Sequence, residues 1–135
     1  IAGEALASEG GLWHVPTSRA GAPASAHLLP PYDEYTVAYR DRSAFLDAAH
    51  AERTRNGIFS RVVLVDGRIV GTWTRVARRG SVAIDVEAFA SVAPAARRAL
   101  ERAAHRYGAF AGAEATLAIR AAATAPRAKR ARTSP

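Results

Sequence analysis

The sequence predicts an α+β fold, in which an antiparallel, partly closed β-sheet (a barrel-like meander) carries one short helix and one longer C-terminal helix. Two patterns support this class. Residues 61–87 contain strand-like runs with alternating apolar and polar side chains between turn signals, which is typical of a half-buried antiparallel meander. Residues 94–111 repeat apolar side chains at helical spacing, which indicates an amphipathic helix that packs on a sheet.

The meander contains three predicted strands, at residues 61–65, 68–76 and 81–87. An Asp-Gly pair at 66–67 predicts a type I′ hairpin turn, and Arg-Arg-Gly at 78–80 predicts the second turn. The alternation of the third strand predicts three buried side chains on one face, those of Val82, Ile84 and Val86.

A short helix is predicted at about 43–54, capped by Asp41 or Ser43 and ended by Asn56-Gly57. Residues 36–39 before it are expected to be extended. The helix would bury three side chains on one face, those of Phe45, Leu46 and Ala49.

The longer helix is predicted to end at Gly112, and residues 114–119 are expected to form a last strand that pairs back onto the sheet. The apolar stripe predicted for this longer helix consists of Ala96, Leu100, Ala103, Tyr107 and Phe110.

The chain is divided by composition. Residues 1–16 are interpreted as a stub of a preceding domain or a first strand, with a short strand at 12–15. Residues 17–27 are rich in Ala, Gly, Ser and Pro, as linkers are. Residues 28–120 form the predicted C-terminal α+β domain, and residues 121–135 a disordered basic tail.

Composition narrows the possible functions. The 135 residues include no Cys, which excludes disulfides, thiolate metal sites and a cysteine nucleophile. No apolar run approaches the roughly 18 residues that a membrane span needs. The chain also contains no Met, so Ile1 is not expected to be a natural start, and we expect the chain to be a fragment. The net charge is +7, of which the tail contributes four positive charges.

Five short motifs carry a resemblance. They are LLPPYDEY (28–35), YRDRS (39–43), NGIFS (56–60), VDGRIVGTW (65–73) and RYGAF (106–110). In this order and spacing the chain resembles the C-terminal part of winged-helix DNA-binding domain-containing proteins, a bacterial family that includes DNA glycosylases acting on alkylated or crosslinked bases. The sequence departs from the family at Ala38, where the family tends to have Gly. Ala resists a positive φ, so this departure bears on the local backbone bend.

The resemblance implies a terminal β-barrel-like domain that follows a row of winged-helix units. It implies double-stranded DNA as a partner through the parent protein, contact with the missing N-terminal winged-helix domains, and a cytoplasmic, nucleoid-associated location. No cofactor, metal or membrane partner is expected. In glycosylase members the chemistry resembles water activation by a glutamine-containing motif in the N-terminal region. This chain has no Gln, so we expect its part of the protein to be non-catalytic.

Arginines of the predicted hairpin are the candidate contacts to the DNA backbone. The alternative interpretation is an ordinary solvated turn. The candidates are Arg68, Arg75, Arg78 and Arg79.

Basic residues of the tail are possible further contacts, because a basic tail binds phosphates without sequence preference. A solubilising terminus is the alternative. The tail residues are Arg127, Lys129, Arg130 and Arg132.

Other chemistry-bearing residues have simpler explanations. Asp33, Glu34 and Asp41 are expected to cap turns or pair with neighbouring arginines, because adjacent residues of an extended segment point to opposite faces. Trp73 shares the face of Ile69 by alternation, so core packing is favoured over stacking on a base. None of the four histidines has metal-ligand spacing; they are His14, His27, His50 and His105.

Three hypotheses follow. The first is a non-catalytic module that contacts DNA without reading sequence or closes a DNA-binding cradle. The second is a purely structural module that docks on the missing winged-helix units. The third, a small free-standing enzyme, is disfavoured because the sequence offers no arranged catalytic groups.

Overall fold

The computed structural model describes residues 7–9, 12–14, 23–55 and 58–122. Two short strands, β1 (Ala7–Glu9) and β2 (Leu12–His14), pair as an antiparallel hairpin, which confirms the short strand predicted at 12–15. The main sheet has five strands side by side in chain order: β3 (Ala26–Leu29), β4 (Val62–Val65), β5 (Arg68–Arg78), β6 (Ser81–Ala88) and β7 (Glu114–Ala121). The helical elements are α1 (Glu34–Val37), a 3₁₀ helix (Ala48–His50) and α2 (Pro94–Ala111).

The direction of the last strand corrects the predicted sheet. Strands β3 to β6 are antiparallel, whereas β7 runs parallel to β6, from Ser81 opposite Glu114 to Ala88 opposite Ala121. The reason is α2, which carries the chain back along the sheet, so that β7 starts at the same end as β6. The alternation pattern gives no information on strand direction.

The main sheet is open rather than partly closed. Its order ends in β3 on one side and β7 on the other. Helix α2 contacts both edges: Arg106 donates a hydrogen bond of 2.9 Å to the Ala26 carbonyl, and Gly108 packs against Ala115 of β7. The two edge strands, β3 and β7, therefore both contact α2 instead of pairing with each other. Because β3 begins at Ala26, the last two residues of the predicted linker belong to the sheet.

The first hairpin confirms the turn prediction but contains a bulge. Asp66 and Gly67 have φ values of 49° and 80°, as a type I′ turn requires. Val63 lies opposite Gly71, whereas Leu64 lies opposite Ile69, so β5 has one extra residue. The extra residue reverses the alternation. The prediction that Ile69 shares a face with Trp73 is therefore wrong.

Two apolar clusters lie on the two faces of the sheet. One lies beneath α2 and includes Val63, Trp73, Ile84 and Leu100, together with the predicted Val82 and Val86. The other includes Phe45, Leu46, Val62, Leu64 and Ile69, covered by the segment between α1 and β4. The burial of Phe45 and Leu46 is confirmed, whereas Ala49 is exposed.

Helix α2 has the predicted bounds and end. Gly112 adopts φ 63°, its N–H donates to the Ala109 carbonyl, and the Ala113 N–H donates to the Gly108 carbonyl. These bonds form a Schellman motif. The predicted stripe is wrong at its last member, because Phe110 is 90 % exposed.

The segment before β4 differs most from its prediction. The expected helix at 43–54 is a series of turns around the 3₁₀ helix, and the expected extended residues 36–39 contain the end of α1. Side chains explain the breaks: Asp33 caps α1, Asp41 accepts from the Ser43 N–H, and Asp47 caps the 3₁₀ helix. Each carboxylate binds backbone donors locally and so competes with a longer helix.

Ala38 has φ −65° and ψ −22°, which is ordinary right-handed backbone. The departure from the family's Gly therefore requires no unusual conformation at this position.

Candidate nucleic-acid interface

The β5–β6 hairpin extends beyond β4 on one side, whereas on its other side β7 pairs with β6 along the whole strand, from Ser81 to Ala88. Val62 at the start of β4 lies opposite Thr72, and the Trp73 N–H donates to the Arg61 carbonyl at 3.1 Å. Beyond this bond, no described strand pairs with β5 on the β4 side, whereas β6 pairs with β5 as far as Arg78. Residues 74–78 of β5 therefore form an unpaired edge of the sheet, about 17 Å long at roughly 3.3 Å per residue, and these five residues with the turn that follows are called the arm.

The end of this arm is basic. Arg78 and Arg79 are exposed, and Gly80 closes the turn with φ 75°. Among the residues that the structure describes, neither arginine makes a hydrogen bond or an ion pair. Both guanidinium groups are therefore available to an anion in solution.

Arg75 lies on the arm but faces α2. It is opposite the buried Ile84, and its guanidinium carbon is 5.4 Å from the centre of the Tyr107 ring. The Tyr107 ring is in turn 5.6 Å from the Trp73 ring in an edge-to-face arrangement, and the Arg61 guanidinium carbon lies 5.8 Å from the centre of the Trp73 ring. The guanidinium groups of Arg61 and Arg75 each lie over an aromatic ring, and both residues remain exposed to solvent.

Arg68 is separated from the other candidates. It begins β5, ten residues before Arg78, which corresponds to about 33 Å along the strand. Its guanidinium donates to the Ala44 carbonyl at 3.0 Å. The four hairpin arginines therefore do not form one patch: three lie on or near the arm, and Arg68 lies at the opposite end. The four basic tail residues fall outside the described residues.

Trp73 is a core residue, as expected. It is 5 % exposed, and its Nε1 donates a 2.9 Å hydrogen bond to the Leu29 carbonyl. A base could not stack on this ring without displacing Tyr107 or Arg61.

The acidic residues have structural roles. Asp33 accepts from the Tyr35 N–H at 3.0 Å and Asp41 from the Ser43 N–H at 2.9 Å, which confirms the expected caps. The Ser43 backbone bond, with help from the Ser43 hydroxyl, holds the pKa of Asp41 below its ordinary value. Within the described ranges, no three His, Asp or Glu side chains are arranged to hold a metal ion.

A cleft of about 440 Å³ lies at the end of the sheet opposite the arm. Its walls include His50, Asp66, Arg68 and Phe89. The His50 ring stacks on Phe89 with centroids 4.1 Å apart, and its Nδ1 is buried without a hydrogen-bond partner among the described residues. The cleft offers charges of both signs and no nucleophile placed beside a base.

Exposed aromatic residues are the feature that sequence reasoning missed. Phe110 is 90 % exposed, Tyr32 66 % and Phe59 52 %. The apolar spacing of α2 predicts that Phe110 is buried. Phe110 is exposed because the apolar stripe of α2 continues past the part of the helix that the sheet covers. Two of the resemblance motifs contain Tyr32 and Phe59, but no local signal predicts their exposure.

A small α+β module with two exposed, unpaired arginines at one hairpin turn has a basic surface of the kind found in nucleic-acid-binding proteins. The chain belongs to the DNA glycosylase AlkZ-like family, whose model matches residues 2–110. Among solved structures, the DNA glycosylase AlkZ of Streptomyces sahachiroi matches at 25 % identity and a TM-score of 0.39, covering 74 % of this chain and 26 % of that chain. The present chain therefore corresponds to about a quarter of that protein's length. The comparison with curated proteins found no match to the present chain. None of the described helices is long and apolar enough to cross a membrane.

Proposed function

We propose that this chain is a non-catalytic C-terminal module of a winged-helix, glycosylase-like DNA repair protein, and that it contacts the DNA backbone without reading sequence. The observation that carries the proposal is the pair of unpaired guanidinium groups, Arg78 and Arg79, at the exposed turn of the β5–β6 hairpin. Arginines placed this way neutralise phosphates and position a protein on the duplex. Membership of a DNA glycosylase-like family supports DNA as the polyanion.

The non-catalytic part of the proposal rests on the sequence. The chain has no Gln, whereas the resemblance implies a glutamine-containing catalytic motif in a preceding winged-helix region. Its carboxylates at 33 and 41 are occupied as caps. A turnover assay on alkylated duplex DNA should therefore show no activity of the 135-residue chain, and base release would overturn this part.

Salt-dependent binding tests the DNA contact. Fluorescence anisotropy with a labelled duplex, at several salt concentrations, gives the slope of log K against log salt. Replacing both tip arginines, as Arg78→Ala with Arg79→Ala, should weaken low-salt binding and reduce the slope by about 1.8, because each phosphate contact contributes about 0.9.

Helix α2 offers a matched control. Arg97 and Arg98 are also adjacent, exposed and without an ion pair among the described residues, and they lie near the start of α2, away from the arm. The double variant Arg97→Ala with Arg98→Ala changes the net charge equally. The proposal requires a larger loss for the tip variant than for this control. Equal losses would mean that only the total charge matters.

A second candidate is a structural module that docks on preceding winged-helix units. Exposed apolar side chains favour it, since Val37 is 46 % exposed, Tyr39 57 % and Val76 52 %. It predicts that the isolated chain self-associates through these surfaces. Light scattering that shows a monomer at high concentration would count against it.

A further inference from the structure

A rim of exposed aromatic rings lies at the end of the sheet where β4 begins. Leu29 pairs with Val62, so the chain leaves β3 and enters β4 at the same end. There the Tyr32 N–H donates to the Ile58 carbonyl at 2.8 Å, and the Tyr32 and Phe59 rings meet edge to face at 5.4 Å. This pair forms one side of the rim.

The rim continues across the sheet through contacts already described. Arg61 directly precedes β4 and binds β5 at Trp73, whose ring contacts Tyr107. Phe110 lies one helical turn beyond Tyr107 on α2. The Glu114 N–H donates to the Gly80 carbonyl at 3.0 Å, which places the end of α2 beside the tip of the arm.

The rim residues have two unusual properties. Phe110, Tyr32 and Phe59 are each more than half exposed, although burial of large aromatic rings stabilises a fold. Tyr32 also has φ 60°, a left-handed conformation that is unfavourable for an aromatic residue. Backbone strain of this kind is concentrated at functional sites.

The charges on the rim select the ligand. Arg61 and Arg75 lie over aromatic rings, and neither pairs with a carboxylate in the described part of the chain. Alternating rings and arginines are the arrangement with which proteins bind single-stranded nucleic acid, because rings stack on bases while arginines follow the phosphates. An apolar protein segment has no anionic groups that could pair with these two guanidinium groups.

We propose that this rim binds the unpaired bases of single-stranded DNA, with Phe110, Phe59 and Tyr32 as stacking residues and Arg61 and Arg75 as phosphate contacts. The inference rests on the proposed DNA-binding function and adds the class of substrate. The arm arginines would hold the duplex, and the rim would hold bases that have left the stack beside it.

Binding of the 135-residue chain to an oligonucleotide of about 12 nucleotides, single-stranded or as the matched duplex, tests the inference. Phe110→Ala should raise the Kd for the single strand about tenfold, the effect expected for loss of one base–aromatic stack, and leave the duplex Kd nearly unchanged. Phe59→Ala should act in the same direction. Phe110→Trp should restore binding, whereas Phe110→Leu should not, because leucine is apolar but has no π-face.

Tyr39→Ala is the control, since Tyr39 is 57 % exposed but packs on Phe45, away from the rim. Equal effects of Phe110→Ala and Tyr39→Ala would overturn the inference, as would single-strand binding that Phe110→Ala leaves intact. Single-strand binding that Phe110→Ala leaves intact is also the result expected if the rim binds a protein segment. The proposed function fails by a different result, namely duplex binding that loses no salt dependence when Arg78 and Arg79 are replaced.

Discussion

Replacement of Gly108 by Ala is the change whose effect on stability follows most directly from the structure. This residue is buried in the last turn of α2, and a helix interior normally gains about 1 kcal/mol when Gly is replaced by Ala. Here an added Cβ would lie 2.7 Å from the Ala113 carbonyl oxygen and 2.8 Å from the Ala115 Cβ. The first of these atoms is backbone, so no rotamer change can relieve the contact.

The expected net effect of Gly108→Ala is a loss of stability. Overpacking of this kind costs about 1–3 kcal/mol, and the helical gain offsets about 1 kcal/mol of it. We expect unfolding free energy to fall by about 1 kcal/mol, with a Tm decrease of about 4–8 °C for a domain of this size. Urea and thermal unfolding followed by far-UV circular dichroism measure both quantities.

Two companion variants check the reasoning. Ala109→Gly, at the exposed neighbouring position, should cost about 1 kcal/mol from propensity alone and so calibrates the helical term. Ala115→Gly added to Gly108→Ala removes the Cβ contact but leaves the carbonyl contact, so it should give only partial recovery in a double-mutant cycle. A Gly108→Ala protein as stable as the original would refute the close packing of α2 against β7.

Three further predictions concern single contacts. Trp73→Phe removes the hydrogen bond to the Leu29 carbonyl and leaves unfilled volume, so urea unfolding should show a loss of about 1–3 kcal/mol; an unchanged midpoint would contradict it. Gly112→Ala should cost about 1 kcal/mol in the same assay because φ is 63°, while Gly112→Asn should cost less. The lowered pKa of Asp41 means that its bond to Ser43 stabilises the fold above the unfolded pKa near 3.9 and that this contribution is lost as pH falls. Asp41→Asn should therefore show a shallower decline of Tm between about pH 5 and pH 3.

The sequence predicts the features of this fold that are encoded locally. The turn at Asp66-Gly67, the strand faces of Val82 and Ile84 and the end of α2 at Gly112 depend on neighbours within a few residues. Such signals of turn chemistry and periodicity act before any tertiary contact forms. For that reason they are confirmed almost residue by residue.

The errors come from interactions between distant segments. The bulge that turns Ile69 to the other face depends on how β4 pairs with β5, and alternation within β5 alone cannot reveal it. The parallel direction of β7 depends on the path of α2. Phe110 is exposed because the cover of α2 ends before the helix does.

The candidate site shows the same division. The basic character of the hairpin was readable from the arginines around residue 78, but their separation from Arg68 depends on the length of β5. The proposed aromatic rim draws on three segments, near 32, 59 and 110, and the contact between Tyr32 and Phe59 exists only in the fold. A sequence pattern within any one segment has no means of indicating it.

Protection of the open sheet edge is an alternative role for the arm arginines, and charge reversal separates it from DNA contact. Beyond Trp73, alternate N–H and C=O groups of β5 point away from β6 and have no partner among the described strands, and charges along such an edge prevent pairing with another chain. Either sign of charge gives that protection, whereas phosphate contact requires positive charge. Arg78→Glu with Arg79→Glu therefore keeps the edge protected while reversing its attraction to DNA. Loss of duplex binding by a protein that remains monomeric would assign these arginines to DNA, and unchanged binding would leave edge protection as their role.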